Sequence, residues 1–365
     1  MPNSLTKAKI SIKTASSPLD TCATSSYFES DLGCKPVHGG PDARGAAQYD
    51  FSTNSNACGP CPHTLAAVQQ ADATRYPDPS YTALRAALAA FHAVQPERIV
   101  LAASASEFIH RITAMAAQQG VRAVALPAHS YGDYAQAAQA RGLQLLRPED
   151  AGHSAAALHW ACEPSSPLGG ADPVLAAWLS APQNAALRIV DCAYQPLRLH
   201  ADSAPQLPAS AWQLWTPNKA LGLTGVRAAY AIAPLNAAAD VAALNALAPS
   251  WPVGAHGVAM LESWVTLTTQ RWLAECLPVL RDWKAQQQAL CAEFGWTVLP
   301  GSQANYFCAR LPLPLPEVVA ALLRLRAHGV QLRDCTSFGL PGVVRLGVLP
   351  PVAQMALRRA WLSVT

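Results

Sequence analysis

The chain has 365 residues, of which 51% are hydrophobic and 13% are charged, and its formal net charge is only +3. This composition supplies a sizeable core and predicts one large domain with a smaller one. The low net charge gives no indication of nucleic-acid binding, and no apolar run approaches the ~18 residues that a membrane span requires. Residues 1–37 are rich in Ser, Thr and Lys and lack an apolar signal core, so we expect a flexible extension and a cytoplasmic protein.

The ten cysteines are scattered along the chain, as is typical of a protein in a reducing compartment. The exception is Cys58-Gly59-Pro60-Cys61, with His63 close by, because such a pair can be redox-active or half of a zinc site. The sequence contains no second Cys-x-x-Cys. We therefore predict a turn that carries two incidental thiols, and no metal site.

Strand-like and helix-like segments alternate through most of the chain. Strands are predicted at 98–102, 123–126, 158–162, 187–190, 211–215 and 226–232, and helices at 63–72, 81–91, 107–119 and 134–141. This alternation predicts an α/β domain with a mostly parallel sheet and helices on both faces. No Gly-x-Gly-x-x-Gly is present, which disfavours a dinucleotide-binding dehydrogenase.

The last third of the chain has a different pattern. We predict one long helix over 256–294, interrupted near Pro278, followed by a strand at 305–311, a helix at 316–327, a strand at 344–349 and a helix at 352–364. The predicted organisation is a flexible extension at 1–37, an N-terminal arm with part of the small domain at 38–75, a large domain at 76–255, and a connecting helix with a smaller α+β domain at 256–365.

One lysine stands apart from the others. Lys219 lies between two apolar strand-like segments, and no other lysine occurs between Lys35 and Lys284. A Gly-x-x-Gly turn and Arg227 follow it. Desolvation lowers the pKa of an amine and leaves its lone pair available for attack on a carbonyl. A solvated lysine in a surface loop is the alternative, and spacing alone does not choose between them.

The segment from Thr216 to Arg227 resembles the cofactor-lysine segment of fold-type I pyridoxal-phosphate enzymes, the class I/II aminotransferase family. The usual form is S-x-x-K followed by G-x-x-G-x-R. The resemblance implies pyridoxal phosphate as cofactor, Lys219 as the Schiff-base lysine, and Thr216 and Arg227 as phosphate contacts. An arginine suits this role because its fork binds phosphate through two hydrogen bonds.

A second match lies at the end of the apolar run 187–190. Asp191-Cys192-Ala193-Tyr194 resembles the family's D-E-A-Y segment, which implies that Asp191 keeps the cofactor ring nitrogen protonated and that Tyr194 contacts the ring oxygen. The predicted position of Asp191, at the carboxyl edge of a parallel strand, is where open α/β sheets bind ligands. An aspartate that only caps a turn is the alternative.

Further matches concern the phosphate and the ring. Ser104, Ala105 and Ser106 lie between a strand and a helix and resemble the family's phosphate-binding loop, although ordinary helix capping is compatible with them. Tyr131 matches the aromatic residue that stacks on the ring, with a core tyrosine as the alternative. Tyr76 resembles the tyrosine that reaches the neighbour's cofactor, which implies a homodimer.

One segment departs from the family pattern. Where the family has N-P-N-N-P-T-G, residues 163–169 read E-P-S-S-P-L-G, so Ser166 replaces the asparagine that contacts the ring oxygen. Serine donates one hydrogen bond but has a shorter reach. The departure leaves open a catalytically impaired, aminotransferase-like binding protein.

Within the family, the chain resembles the branch of histidinol-phosphate aminotransferase and L-threonine-O-3-phosphate decarboxylase. The resemblance implies Arg333 and Arg345 as contacts for a substrate carboxylate or phosphate, and His38 and Asn54 as possible phosphate contacts. A surface ion pair is the alternative for either arginine. We predict transamination of an α-amino acid or a phosphorylated amino compound, with Lys219 as the base, and keep decarboxylation of a phosphorylated amino acid as the alternative.

Overall fold

The computed structural model describes residues 38–147, 157–180, 186–200 and 205–364, so the predicted extension at 1–37 lies outside the described residues. The described strands are β1 (Tyr49–Asp50), β2 (Ile99–Ala102), β3 (Ala123–Ala125), β4 (Gln144–Leu146), β5 (Ala157–Cys162), β6 (Leu187–Asp191), β7 (Trp212–Trp215), β8 (Ala229–Ile232), β9 (Thr297–Val298), β10 (Tyr306–Arg310), β11 (Val330–Gln331), β12 (Arg333–Asp334) and β13 (Val343–Gly347). The described helices are α1 (Pro62–Gln69), α2 (Thr82–His92), α3 (Ala105–Gln118), α4 (Gly132–Gln139), α5 (Val174–Ser180), α6 (Ala238–Ala246), α7 (Ala255–Trp264), α8 (Leu267–Glu293), α9 (Leu315–Ala327) and α10 (Pro351–Val364).

Seven strands form the central sheet, in the order β2-β8-β7-β6-β5-β3-β4. The strands from β7 to β4 pair in parallel with their neighbours, whereas β8 is antiparallel to both β2 and β7. The predicted mostly parallel sheet is therefore confirmed. Strands such as β5 and β8 are buried along their whole length, which explains why their sequences are apolar apart from His159 of β5.

The sheet separates two hydrophobic cores, and β2 illustrates how. Ile99 and Leu101 point into a core with side chains of α1, α2, α7 and α8, while Val100 and Ala102 point into a core with α3, α4 and α6. Successive side chains of a strand alternate between the two faces of the sheet. Helices therefore cover both faces, as the sequence predicts.

A smaller antiparallel sheet, in the order β12-β13-β10-β9, forms the C-terminal part. Its core includes Phe307 of β10, Leu325 of α9 and Leu357 of α10. Phe51, from the predicted N-terminal arm, packs into the same core, directly after β1 pairs in parallel with β11. The smaller α+β unit is thus confirmed, while its boundaries with the arm and the large domain stay a prediction.

The predicted helix over 256–294 consists of two helices, and its interruption is not where we expected it. Helix α7 ends at Trp264 and α8 begins at Leu267, where the Thr266 hydroxyl accepts a hydrogen bond from the Thr269 N–H at 3.3 Å. Threonine is a favourable helix cap. Pro278 lies inside α8, so the predicted interruption there is wrong. The missing N–H costs one hydrogen bond, which the burial of Leu273 and Leu280 on either side offsets.

No helix in the described part of the chain is long and apolar enough to cross a membrane.

Candidate active site

Lys219 lies in the connection from β7 to β8, at the edge of the sheet where β6 and β7 end. Its amino nitrogen is 5.1 Å from the centroid of the Tyr194 ring. The connection is fixed by hydrogen bonds from Leu221 N–H to the Pro217 carbonyl at 2.9 Å and from Leu223 N–H to the Asn218 carbonyl at 2.8 Å. The lysine side chain is half-buried and faces an aromatic ring. The alternative of a solvated lysine in a surface loop therefore does not describe Lys219.

A preceding segment, Asn56 to Cys61, supports the lysine connection from outside. The Asn56 N–H donates to the Lys219 carbonyl at 2.9 Å, and the Cys61 N–H donates to the Leu221 carbonyl at 2.8 Å. Gly222 has a φ of +70°, and a Cβ there would stand 2.5 Å from the Gly59 carbonyl oxygen. Both the backbone conformation and the close approach require glycine. The first glycine after the lysine therefore allows the two segments to touch.

Asp191 is the last residue of β6 and is buried among polar partners. Its carboxylate accepts hydrogen bonds from the Tyr134 hydroxyl at 2.6 Å and from the Ala193 N–H at 2.9 Å. Burial raises the pKa of Asp191, and these hydrogen bonds, together with the nearby charge of Lys219, act in the opposite direction. The strand end therefore brings an acid and an amine into one site, although they are far apart in sequence.

Tyr194 is held by polar and aromatic contacts. Its hydroxyl accepts a hydrogen bond from the Asn54 side-chain nitrogen at 3.3 Å, and its ring meets Tyr306 edge to face at 4.7 Å. The Asn54 side-chain oxygen is buried and has no hydrogen-bond partner. A buried acceptor without a partner costs free energy unless a ligand or water donates a hydrogen bond to it. The unpaired oxygen of Asn54 therefore indicates that a polar group binds beside Tyr194.

The N-terminus of α3 opens toward Tyr131. Ser104 caps the helix by accepting from the Glu107 N–H at 3.1 Å, and the Glu107 carboxylate pairs with Arg111 at 3.0 Å. The Ser106 and Tyr131 hydroxyls are 3.3 Å apart. The capping alternative is thus observed for Ser104, yet the N–H groups of Ala105 and Ser106 still lack intrahelical acceptors and can bind an anion.

Ser166 lies beside Arg345 of β13. Arg345 donates one hydrogen bond to the Ser166 hydroxyl at 3.3 Å and another to the Ser52 carbonyl at 3.2 Å. The guanidinium carbon is 5.6 Å from the centroid of the Tyr306 ring, and Nε is buried without a hydrogen-bond partner. The serine that departs from the family pattern therefore contacts the arginine predicted to bind substrate.

Two other predicted substrate contacts differ in their surroundings. Arg333 stands opposite Arg345 in the β12–β13 ladder, and it donates to the Ser337 hydroxyl at 2.8 Å while its guanidinium packs on Phe338. Arg333 is thus engaged by its own turn. His38 is half exposed, and its imidazole approaches Asp133 at 3.8 Å and the Tyr131 ring at 5.8 Å.

Three predicted cofactor contacts have no described contact with the other site residues. Tyr76 is exposed and stacks on Trp251, with ring centroids 4.3 Å apart. Arg227 is exposed as well. The Thr216 hydroxyl donates to the Asn218 side-chain oxygen at 2.9 Å, so it would have to turn in order to reach a phosphate.

The structure adds two features that our sequence reasoning missed. Tyr134 is fully buried, stacks on Trp160 with the rings 4.3 Å apart, and thereby presents its hydroxyl to Asp191. The sequence signal that could have identified Tyr134 is its position one helical turn after Tyr131. The second feature is a buried ion pair between Glu163 and Arg198, next to the strand end that carries Asp191. Nothing in the sequence pattern joins these two residues.

We expect Glu163→Gln to lower the free energy of unfolding by about 3–5 kcal/mol, because it leaves the charge of Arg198 buried without its carboxylate. Urea denaturation measures the change. The matched control is Glu293→Gln, which breaks the exposed pair between Glu293 and Arg358 at 2.9 Å and should cost under ~1 kcal/mol. Equal losses for the two variants would contradict the importance of the buried pair.

Comparison with known proteins identifies the family of this chain. Residues 46–361 match the family described as aminotransferase class I and II. A histidinol-phosphate aminotransferase of Jannaschia sp. (strain CCS1) is 27% identical over 320 residues, which cover 82% of this chain and 87% of that protein.

Two solved structures have a similar fold. Histidinol-phosphate aminotransferase from Sinorhizobium meliloti, in complex with pyridoxal-5'-phosphate, matches with a TM-score of 0.72 and 21% identity, over 86% of this chain and 89% of that one. L-Threonine-O-3-phosphate decarboxylase from Porphyromonas gingivalis also matches at 0.72, with 18% identity, over 86% of this chain and 98% of that one. With the family match extending over most of its length, the chain belongs to the aminotransferase class I and II family.

Proposed function

We propose that this protein is a pyridoxal-phosphate-dependent aminotransferase in which Lys219 attaches the cofactor and then serves as the base at the α-carbon of a small amino substrate. The observation that carries the proposal is that Asp191 ends β6 and Lys219 follows the neighbouring parallel strand β7, at the same carboxyl edge of the sheet. The lysine amine faces the Tyr194 ring at 5.1 Å, and its charge lowers the pKa of the Asp191 carboxyl, against the effect of burial.

The chemistry of the donor set fits pyridoxal phosphate. The site offers an amine, a buried carboxylate, aromatic rings and the N-terminus of α3, and these match an aldehyde, a pyridinium nitrogen, a ring and a phosphate. When bound, the cofactor supplies an electron sink for the pair of electrons that leaves the α-carbon. Asp191 would keep the ring nitrogen protonated, and Tyr131 would stack on the ring. The N–H groups of Ala105 and Ser106 would bind the phosphate.

The substrate side of the proposal rests on Arg345. Its unpartnered Nε lies in a buried setting, and a substrate carboxylate would satisfy it with a charge-assisted hydrogen bond. Ser166 then has the role of positioning Arg345 through its hydroxyl. Lys219 would move a proton to and from the α-carbon, while the buried cluster of Ala193, Tyr194, Ala304 and Tyr306 keeps water away from that side.

The homodimer belongs to the same proposal. Tyr76 and Trp251 form an exposed aromatic pair, at the position where the resemblance implies a tyrosine that reaches the neighbouring subunit. Thr216 and Arg227 complete the phosphate site in this view, with the Thr216 hydroxyl turned from Asn218. The cytoplasmic location stays a prediction.

The test is a substrate screen of the purified protein loaded with pyridoxal phosphate. Histidinol phosphate, L-threonine phosphate and a panel of amino acids are added in turn. We expect one amine to convert the cofactor to pyridoxamine phosphate, detected by mass spectrometry, with a 2-oxo acid restoring it. Failure of every amine to transfer its nitrogen, in protein that has bound the cofactor, would overturn the proposal.

Two outcomes of the same screen would select the alternatives. Carbon dioxide release from L-threonine phosphate, without amino transfer, would identify a decarboxylase. The fold matches the decarboxylase and the aminotransferase equally well, and the Asn54 amide, one of the predicted phosphate contacts, is already engaged by Tyr194. No cofactor uptake at all would select the impaired binding protein.

A further inference from the structure

The Cys58-to-Cys61 pair of the sequence is not a pair in the structure. Cys61 directly precedes α1, is buried in the first core, and uses its backbone N–H to hold the lysine connection. Cys58 is half-buried, and its sulfur lies 3.9 Å from the carbonyl oxygen of Cys276 in α8. Cys276 is itself part of the first core, against which Cys58 packs. The partner of Cys58 is thus a residue far along the chain.

The charge distribution favours reaction between these two sulfurs. The neighbouring Cys58 thiol lowers the pKa of Cys276, and the Asn56 side chain adds to the effect against the opposing effect of burial. The pKa of Cys58 is raised by Cys276 and by burial. The pair therefore ionises first at Cys276, and a thiolate is the form of cysteine that reacts with oxidants.

The position of Cys58 connects this pair to the site. Cys58 lies between Asn56 and Cys61, whose N–H groups bind the carbonyls of Lys219 and Leu221, and the Asn56 side chain donates to the Ala220 carbonyl at 3.0 Å. Cys276 lies in α8, which packs in the first core. A covalent bond between the two sulfurs would join the segment that supports Lys219 to this helix.

We propose that Cys58 and Cys276 are a redox-modification site that forms a reversible disulfide in the presence of a hydroperoxide. With hydrogen peroxide, one sulfur takes an oxygen as the O–O bond breaks, and water leaves. The second sulfur then displaces that oxygen, so that the S–S bond forms as the S–O bond breaks and a second water leaves. The two sulfurs together supply the two electrons that reduce the peroxide. An added dithiol reverses the reaction by thiol–disulfide exchange.

A second thiol contact provides an internal comparison. Cys308 and Cys335 also shift each other's pKa, but both are buried, with 1% and 0% of their surface exposed. Oxidant access is therefore poorer than at the Cys58–Cys276 pair, in which Cys276 is 4% exposed but Cys58 is half-buried, since oxidation follows exposure as well as thiolate character. We expect the Cys58–Cys276 bond to form first as peroxide is increased.

The test uses the full-length protein treated with hydrogen peroxide, quenched by alkylation and mapped as unreduced peptides by mass spectrometry. We expect a Cys58–Cys276 cross-link, a melting temperature raised by several degrees because the bond closes a long loop, and loss of both after treatment with dithiothreitol. Cys58→Ser and Cys276→Ser should each abolish the cross-link and the shift. Cys61→Ser is the matched control and should keep both, because serine is also accepted before a helix.

A Cys58–Cys61 disulfide, a Cys308–Cys335 disulfide that forms first, or no disulfide in the wild-type map would each overturn the proposal. Any bond to Cys22 or Cys34, which lie outside the described residues, would do so if it displaced the Cys58–Cys276 bond. An effect on turnover rests on the proposed function: we expect oxidation to slow amino transfer several-fold and reduction to restore it. The cross-link and the melting temperature are measured without turnover, so they remain readable if the proposed function fails.

Discussion

Lys219→Ala should lower turnover at least about a thousandfold, because under the proposed function the change removes both the amine that would attach the cofactor and the base that would act at the α-carbon. The described side chains offer no second amine against Tyr194 that could substitute for it. Steady-state kinetics with the amine identified in the screen measure the loss. Borohydride reduction of the loaded wild-type protein, followed by peptide mapping, should find the cofactor on the peptide that contains Lys219.

The matched control for this variant is Lys284→Met. Lys284 is more deeply buried than Lys219, its amino nitrogen donates to the carbonyls of Ser302 and Ala304, both at 2.8 Å, and burial lowers its pKa to about 8. We therefore expect Lys284→Met to reduce stability and to leave the cofactor attached at Lys219. Full turnover by Lys219→Ala, or attachment of the cofactor elsewhere, would refute the assignment of Lys219.

Asp191→Asn should lower turnover by about a hundredfold to a thousandfold with little change in stability. The amide has the same shape and keeps an oxygen for the Ala193 N–H, but it removes the negative charge that would hold a proton on the cofactor ring nitrogen. The loss should appear in kcat, because the charge acts on the reacting electrons more than on substrate binding. Urea denaturation checks that the variant remains folded.

Tyr134→Phe tests the role of the Asp191 carboxylate by removing one of its hydrogen bonds while leaving the carboxylate in place. The Tyr134 hydroxyl donates to Asp191 at 2.6 Å and lowers a pKa that burial raises, so its removal should raise the pKa of Asp191 further. A group with a higher pKa is protonated at higher pH. The acidic limb of the rate profile should consequently move to higher pH in Tyr134→Phe, whereas an unchanged profile would mean that Asp191 does not control that limb.

The fold was predictable where the pattern of apolar residues was long and regular. Strands β5, β6 and β8 are buried at every residue except Leu187, and they appear in the sequence as mostly apolar runs. The alternation of these runs with helices sufficed to predict the parallel sheet. Short elements escaped prediction. The three residues of β4 and the two of β12 carry too few side chains to show a period, and pairing with their neighbours creates them.

The sequence by itself determined the family resemblance and the sheet with its two covered faces, and it predicted Lys219 and Asp191 as site residues. These depend on local order, since a strand end or a turn fixes where one side chain points. Only the tertiary structure decided which residues touch. Tyr134 meets Asp191, Arg345 meets Ser166, and Cys58 meets Cys276, across separations of 57, 179 and 218 residues. Such pairs arise when packed elements meet in three dimensions, and no period or spacing along one segment records them.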